Sequence, residues 1–294
     1  MLKILLKRAL LKLPISLQTK ILLEFVNAHQ LKLISKYTDG LEIIPPNDGV
    51  IRDLISSRAY HEKLAIEKIC SILRPDAIAL DIGANVGFWT LPLAKKLRYG
   101  VVHAFEPTPS TYLTLQQNIS LNRLSNITTY QLGVSDKDGD LPLSTYDGEG
   151  RSSGWNTFGN SNTLPPPTSI INAKLTTLDA WWVSAGRPTC QFAKIDVEGF
   201  ELQVIKGGTE FFRHHRSQPD FFVFMEVANV TLAAVGTAPI AIFSEMNSLG
   251  YDMLRIRGGL PKASSAHFDE NICENMIVVP QGNSLTDLAT ALAH

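Results

Sequence analysis

The chain has 294 residues, of which 45% are hydrophobic and 19% are charged, and its formal net charge is −1. This composition supplies enough apolar material for one large domain or a domain with an appendage, and it argues against disorder. The near-neutral charge excludes a globally basic nucleic-acid binder, so no nucleic-acid partner is expected. The three cysteines are odd in number and far apart, which excludes a disulfide framework and favours a reducing compartment such as the cytoplasm.

Residues 1–36 predict a basic amphipathic helix that Pro14 divides in two. Seven Lys and Arg residues stand there against one acid, Glu24. The apolar runs are shorter than the roughly 18 residues of a membrane span, and lysines interrupt what would be a signal-peptide core. Two interpretations stay open: a helix packed on the main domain or on a second subunit as a dimer contact, and a helix lying peripherally on an anionic membrane. We therefore predict a helical extension over 1–52 and a main domain over 53–294.

From residue 53 onward, predicted helices and strands alternate. The apolar run 77–83 ends in an acid and a glycine, as a buried parallel strand does, and further strands follow at 101–107 and 127–135. Helical segments separate them. Repeated strands and helices of these lengths predict an α/β fold with a mostly parallel sheet and helices on both faces. Such a sheet binds ligands at the carboxyl ends of its strands.

The regular pattern lapses between about 136 and 174, where the run 146–168 is rich in Gly, Ser, Asn and Pro. A binding loop and a spacer are both open interpretations, and Trp155 and Phe158 within it are candidates to close over a sugar ring or an aglycone. Four more strands are predicted, which raises the count to seven: 191–197, 221–227, 251–256 and 275–280. The last two lack room for a helical crossover, which favours an antiparallel pair at one edge.

The segment DIGANVGFWT carries the strongest ligand-binding signal. Asp81 ends the first strand of the main domain, and Gly83 and Gly87 allow a sharp turn whose backbone can approach a ligand. An acid at position 81 would repel the pyrophosphate of a dinucleotide, but it could attract the ammonium of a methionine moiety directly or through water. The charge pattern therefore favours S-adenosylmethionine over NAD.

Glu106 strengthens this interpretation because it stands at the end of the second strand, where an acid can accept hydrogen bonds from both ribose hydroxyls. A third motif, KIDVEGFELQVIKGG, brings Asp196 and Glu198 to the carboxyl end of the fourth parallel strand. Both could orient a substrate hydroxyl, help to hold the methionine end of the cofactor, or ligate a metal. Glu198 could equally complement the dipole of the next helix.

Four segments together resemble the FkbM family of S-adenosylmethionine-dependent methyltransferases: DIGANVGFWT, FEP, KLTTLDAW and KIDVEGFELQVIKGG. The resemblance covers roughly residues 60 to 280 and leaves out the basic N-terminal segment and the Gly/Ser/Asn/Pro-rich run. It implies a Rossmann-like class I methyltransferase fold with a seven-stranded sheet. It also implies methyl transfer, usually to a hydroxyl of a sugar, a glycan or a secondary metabolite, without identifying the acceptor.

By position, the resemblance assigns six cofactor contacts. It implies that the methionine and its carboxylate are lined by Asp81, Gly83, Asn85 and Gly87. Glu106 would hold the ribose, and Ser135, at the end of the third strand, would lie near the adenine. Methyl transfer to an alcohol would be helped by a general base.

Four residues are candidates for that base: Asp196, Glu198, Glu226 at the end of FFVFMEV, and His267 in a late loop. Any of them could instead bind a divalent metal that lowers the pKa of the acceptor hydroxyl. Two other classes of protein remain open. A nicotinamide-dependent oxidoreductase shares the sheet and the acid after the second strand, but it would need a third glycine. A non-catalytic binding or scaffold protein would keep the fold without the reaction.

Overall fold

The computed structural model describes residues 35–36, 38–44, 62–146, 153–159, 166–256 and 273–282. These ranges contain the strands β1 Ser35–Lys36, β2 Glu42–Ile43, β3 Ile78–Ile82, β4 Val101–Phe105, β5 Ile127–Tyr130, β6 Gly133–Ser135, β7 Gly139–Thr145, β8 Ser169–Thr177, β9 Phe192–Ile195, β10 Phe222–Ala228, β11 Tyr251–Arg255 and β12 Cys273–Pro280. They also contain the helices α1 Lys63–Ile72, α2 Thr90–Lys96, α3 Pro109–Leu121, α4 Leu178–Ser184, α5 Glu201–Lys206, α6 Thr209–His215, α7 Asn229–Ala234 and α8 Pro239–Ser248.

The central sheet has seven strands in the order β11-β12-β10-β9-β3-β4-β5. All neighbours run parallel except β12, which pairs antiparallel with both β10 and β11. The seven-stranded sheet and the antiparallel pair at one edge are therefore confirmed. An antiparallel strand inserted beside the edge distinguishes this sheet from the dinucleotide-binding order 3-2-1-4-5-6. It is the topology expected of a class I methyltransferase.

Both faces of the central sheet are buried, because apolar side chains alternate from one face to the other along each strand. In β10, Phe222 and Phe224 pack with α1 and α2, whereas Val223 and Met225 pack on the opposite face with α4, α5, α6 and α8. Trp89 fills the first of these two layers against Phe224. The strand sequences are therefore nearly continuous apolar runs, and the polar groups lie mainly at their carboxyl ends.

A second, three-stranded sheet lies where a single strand and a long loop were predicted. The predicted strand 127–135 divides into β5 in the central sheet and β6, which pairs parallel with β8. β7 pairs antiparallel with β8, so the prediction that regular structure lapses from 136 to 174 is wrong at both ends of that range. Only alternate residues of β7 are buried near its end, as at Leu143 and Thr145, and Pro142 weakens the strand signal. Such short half-buried strands resemble loop sequence.

Part of the predicted extension 1–52 packs on the main domain. β1 and β2 form a two-stranded antiparallel sheet rather than a helix at these positions. The Asn118 side chain on α3 accepts from the Ile44 N–H at 2.7 Å and donates to its carbonyl at 3.0 Å. Residues 1–34, 37 and 45–61 lie outside the described residues. The predicted basic helix, apart from its last two residues, therefore lies outside them too, as does its membrane or dimer contact. No helix in the described ranges has the length and apolarity to cross a bilayer.

Candidate functional site

A cavity of about 670 Å³ opens at the carboxyl ends of β3, β4, β9 and β10. This volume lies within the range of small-molecule and cofactor sites. The cavity brings together six of the predicted site residues on its wall: Gly83, Asn85, Glu106, Asp196, Glu198 and Glu226. Asp81, Gly87 and Ser135 are not on the wall, and His267 lies outside the described residues.

The loop after β3 is shaped by left-handed backbone at Gly83 (φ 84°), Asn85 (φ 49°) and Gly87 (φ 102°). A Cβ at Gly83 would lie 1.8 Å from the Asp196 carbonyl oxygen, so only glycine allows this loop to pack against the end of β9. A Cβ at Gly87 would meet Leu115 of α3 at 3.0 Å. Gly83 therefore joins two motifs at the cavity, whereas Gly87 serves the packing of the loop on α3.

Glu106 links the loop after β3 to the end of β4. Its carboxylate accepts the Asn85 N–H at 3.0 Å and the Thr108 N–H at 2.9 Å. Burial raises the pKa of Glu106, and these backbone hydrogen bonds oppose the shift. Each carboxylate oxygen has two lone pairs, so both can still accept from a diol such as a ribose. Glu106, the residue predicted to contact the ribose, therefore lies on the cavity wall with its carboxylate fixed by two backbone hydrogen bonds.

Asp81 is fully buried beneath the loop instead of facing the cavity. Its Oδ2 accepts from the Thr90 hydroxyl at 2.5 Å, and its Oδ1 lies 3.9 Å from Lys194 Nζ. Burial raises the pKa of Asp81, and the charge of Lys194 opposes that shift. Asp81 therefore does not lie on the cavity wall, where the predicted direct contact with a ligand would require it. The Asp81 carboxylate contacts Thr90 and Lys194, and of these two only Lys194 lies on the cavity wall.

Lys194 is a site residue that the sequence interpretation missed. It stands opposite Asp81 in the β3–β9 register and is only 4% exposed. Its ammonium donates to the Gly83 carbonyl at 2.9 Å and pairs with Asp196 Oδ2 at 3.1 Å. Burial lowers the pKa of Lys194, but the charges of Asp196 and Asp81 outweigh it and raise the pKa overall. A lysine inside the otherwise apolar strand sequence FAKI was the signal that could have revealed it.

Three predicted catalytic carboxylates form one cluster. Oxygen atoms of Asp196, Glu198 and Glu226 all lie within 4.8 Å of one another. The charge of Asp196, followed by burial, raises the pKa of Glu226 to about 9. Burial, followed by the charges of Asp196 and Glu226, raises the pKa of Glu198. Such a cluster can hold a proton, and oxygen ligands at this spacing also suit a divalent cation.

Ser135 does not reach the cavity. It is fully buried in β6, where its hydroxyl donates to the Asp136 carboxylate at 3.1 Å. Its carbonyl oxygen lies 1.9 Å from the position that a Cβ at Gly207 would occupy. Because the chain leaves the central sheet after β5, Leu132, Gly133 and Val134 line the cavity in its place.

Residues 153–159, inside the run for which a binding loop and a spacer were the two open interpretations, form a strap along the cavity wall. The strap makes three side-chain hydrogen bonds to the walls: Ser153 to Asn85 at 3.3 Å, Asn156 to Thr108 at 3.1 Å, and Thr157 to the Glu198 carbonyl at 2.8 Å. Phe158 lies on the wall and packs on Phe200 with ring centroids 4.8 Å apart. Trp155 packs on Tyr146 and is not part of the wall.

Three sequence relatives and one solved structure show what the chain is similar to. Methyltransferase 1 of Beauveria bassiana is 34% identical over 89 residues, 29% of this chain and 35% of that protein. Methyltransferase sdnD of Sordaria araneosa is 29% identical over 163 residues, 45% of this chain and 60% of that protein. 2-O-methyltransferase NoeI of Sinorhizobium fredii is 25% identical over 169 residues, 54% of this chain and 67% of that protein. Methanocaldococcus jannaschii TYW2 in complex with AdoMet shares 14% identity at a TM-score of 0.38, covering 84% of each chain.

The first two of these relatives are matched over 35% and 60% of their length, so this chain spans only part of each. Residues 81–253 match the family described as Methyltransferase FkbM domain. That segment contains the loop after β3, Glu106 and the whole carboxylate cluster. Because the match covers more than half of the chain, the protein belongs to the FkbM family of methyltransferases, whose methyl donor is S-adenosylmethionine.

Proposed function

We propose that the protein is an S-adenosylmethionine-dependent O-methyltransferase that acts on a hydroxyl of a sugar, a glycan or a secondary metabolite. The observation that carries the proposal is the cluster of Asp196, Glu198 and Glu226 on the wall of the same cavity as Glu106. One end of the cavity thus suits a nucleoside, and the other end suits proton transfer.

The charges of the cavity support a cationic cofactor. Among the described wall residues, six carboxylate side chains stand against one cation, Lys194. The ionised carboxylates of this wall would repel a pyrophosphate and attract an ammonium or a sulfonium, and the positive charge of such a ligand would in turn favour the ionised forms of Glu198 and Glu226. We propose that Glu106 holds the ribose and that the backbone of Gly83 and Asn85, with Asp196, holds the methionine end. When bound, S-adenosylmethionine supplies a methyl group on a positively charged sulfur.

Glu226 is our proposed general base. Its pKa of about 9 makes it a stronger proton acceptor than an ordinary carboxylate, and it takes the proton of the acceptor hydroxyl. Asp196 is less suited because its carboxylate already binds the Lys194 ammonium. Glu198 is the alternative base, since it belongs to the same cluster and its pKa is also raised.

The acceptor class rests on two supports. NoeI is named a 2-O-methyltransferase, which agrees with a hydroxyl acceptor. The excess of carboxylates on the cavity wall would repel a phosphate backbone, so we propose a small molecule or a glycan rather than a nucleic acid. Phe158 offers a ring face on which a sugar or an aglycone can stack.

Two measurements test the proposal. Calorimetric titration of the wild type with S-adenosylhomocysteine and with NADH should give heat with the first ligand only. Transfer of a labelled methyl group should then be screened against matched hydroxyl and amine acceptors, with hydroxyl products expected. Binding of NADH would instead support an oxidoreductase, and cofactor binding without transfer to any acceptor would support a binding protein. Transfer to amines alone would contradict O-methylation.

A further inference from the structure

Lys194 connects the two motifs that meet at the cavity. Its ammonium has three protons to donate, and it has three oxygen partners around it. It bonds the Gly83 carbonyl at 2.9 Å and Asp196 Oδ2 at 3.1 Å, and Asp81 Oδ1 lies at 3.9 Å. One buried cation therefore ties the loop after β3 to the carboxylate at the end of β9.

Stability alone does not account for a lysine at this position. Its strand neighbours Ala193 and Ile195 are fully buried apolar residues, and an apolar side chain at 194 would avoid the cost of burying charge. Replacing a buried ion pair by well-packed apolar residues is often neutral or stabilising. The charges of Lys194 and Asp81 are thus better explained by what they hold in place at the cavity wall.

The direct contacts of Lys194 are with Gly83, Asp196 and Asp81. Glu106 is held by the N–H groups of Asn85 and Thr108, and Lys194 acts on it only through its charge, without a hydrogen bond. The loss of the lysine should therefore displace Gly83 and Asp196 while the carboxylate of Glu106 keeps its hydrogen bonds.

We propose that Lys194 is a positioning residue for the amino-acid end of the cofactor, acting through the Gly83 carbonyl and the Asp196 carboxylate. The inference rests on the proposed function. It also assigns Asp81 its role, because Asp81 reaches the cavity only through the charge of Lys194. Asp81 and Lys194 then form a buried ion pair that fixes the position of Asp196.

Two ligands separate positioning from general loss of structure. S-adenosylhomocysteine carries the amino-acid end, whereas 5′-methylthioadenosine shares the adenosine and the sulfur but lacks that end. The variants are Lys194→Met, which keeps the length of the side chain, and Asp81→Asn with and without Lys194→Met. The double variant removes both charges of the pair, so it does not leave Asp81 as an unpaired buried charge if Lys194→Met fails to fold.

We expect Lys194→Met to weaken S-adenosylhomocysteine binding by at least about tenfold, the usual effect of losing a charge-assisted hydrogen bond. Binding of 5′-methylthioadenosine should stay unchanged, and the double variant should show the same contrast relative to Asp81→Asn. Equal weakening of both ligands, or no weakening of either, would overturn the inference while leaving the proposed function intact. A wild type that binds neither ligand would overturn the proposed function as well.

Discussion

The carboxylates at the two ends of the cavity differ in the hydrogen bonds that they accept. Glu106, at the nucleoside end, receives two backbone N–H groups that hold it in place. Glu198 and Glu226, at the opposite end, accept no hydrogen bond from the described residues, and burial together with the charge of Asp196 raises the pKa of both. A carboxylate with donors is a fixed acceptor for binding, whereas one surrounded by other carboxylates is suited to exchange a proton.

The largest effect is expected where the two ends meet, at Gly83. Gly83→Ala combines a left-handed φ of 84° with a Cβ 1.8 Å from the Asp196 carbonyl. We expect it to lower the free energy of unfolding by about 1–2 kcal/mol from the backbone and about 1–3 kcal/mol more from overpacking, and to abolish cofactor binding. Urea unfolding and calorimetry measure both.

Gly186→Ala is the matched control for this variant, because Gly186 has φ 82° and no atom within 4 Å of its missing Cβ. It should show only the backbone cost and should bind S-adenosylhomocysteine like the wild type. Equal destabilisation of the two variants would show that the contact between the loop and β9 is unimportant.

Glu226→Gln tests the proton-transfer end. A base works when deprotonated, and the pKa of Glu226 is raised to about 9, so wild-type kcat/KM should rise with pH up to about that value. The variant should lose about a hundredfold or more in kcat, with a flat pH profile, while its affinity for S-adenosylhomocysteine persists. If Glu198→Gln flattens the profile and Glu226→Gln does not, the base is Glu198.

Glu106→Gln tests the nucleoside end. The neutral amide keeps the size of the side chain but accepts hydrogen bonds less strongly, so binding should weaken by about tenfold to a hundredfold. The loss should appear equally with S-adenosylhomocysteine and with 5′-methylthioadenosine in calorimetric titrations. A loss confined to S-adenosylhomocysteine would mean that Glu106 does not hold the ribose.

The strap over residues 153–159 contacts both ends of the cavity, so two conservative variants can test its contact with each end separately. Thr157→Val removes the hydrogen bond to the Glu198 carbonyl. We expect it to raise the activation free energy by about 1 kcal/mol, so that kcat falls several-fold. Ser153→Ala removes the hydrogen bond to Asn85 and should raise the Kd for S-adenosylhomocysteine slightly. Steady-state kinetics would contradict this division if Thr157→Val changed the KM for the cofactor and left kcat intact.

The smallest effect is expected from chelation. Lys194 Nζ lies 3.1 Å from Asp196, so the cluster already has a cation beside one of its three carboxylates. We therefore expect methyl transfer to survive dialysis against EDTA. Activity that is lost on dialysis and restored by Mg²⁺ or Mn²⁺ would show instead that a divalent ion occupies the cluster.

Much of the nucleoside end could be predicted from sequence because its signals are local. A buried strand, a glycine turn and an acid after the next strand lie within residues 77–107, and the parallel register brings them together without further information. The opposite end could not be predicted to the same depth. Its parts come from β9, from β10 and from the strap at 153–159, which are distant in the chain.

The sequence by itself determined the α/β class, the seven strands and the residues that end them, because apolar periodicity and strand-end acids are properties of short segments. Only the tertiary structure decided that Asp81 points inward to Lys194, and that β6 carries Ser135 away from the central sheet. It also decided that Glu226 lies beside Glu198. Those outcomes depend on register between strands and on charges brought together across the fold, which no local pattern encodes.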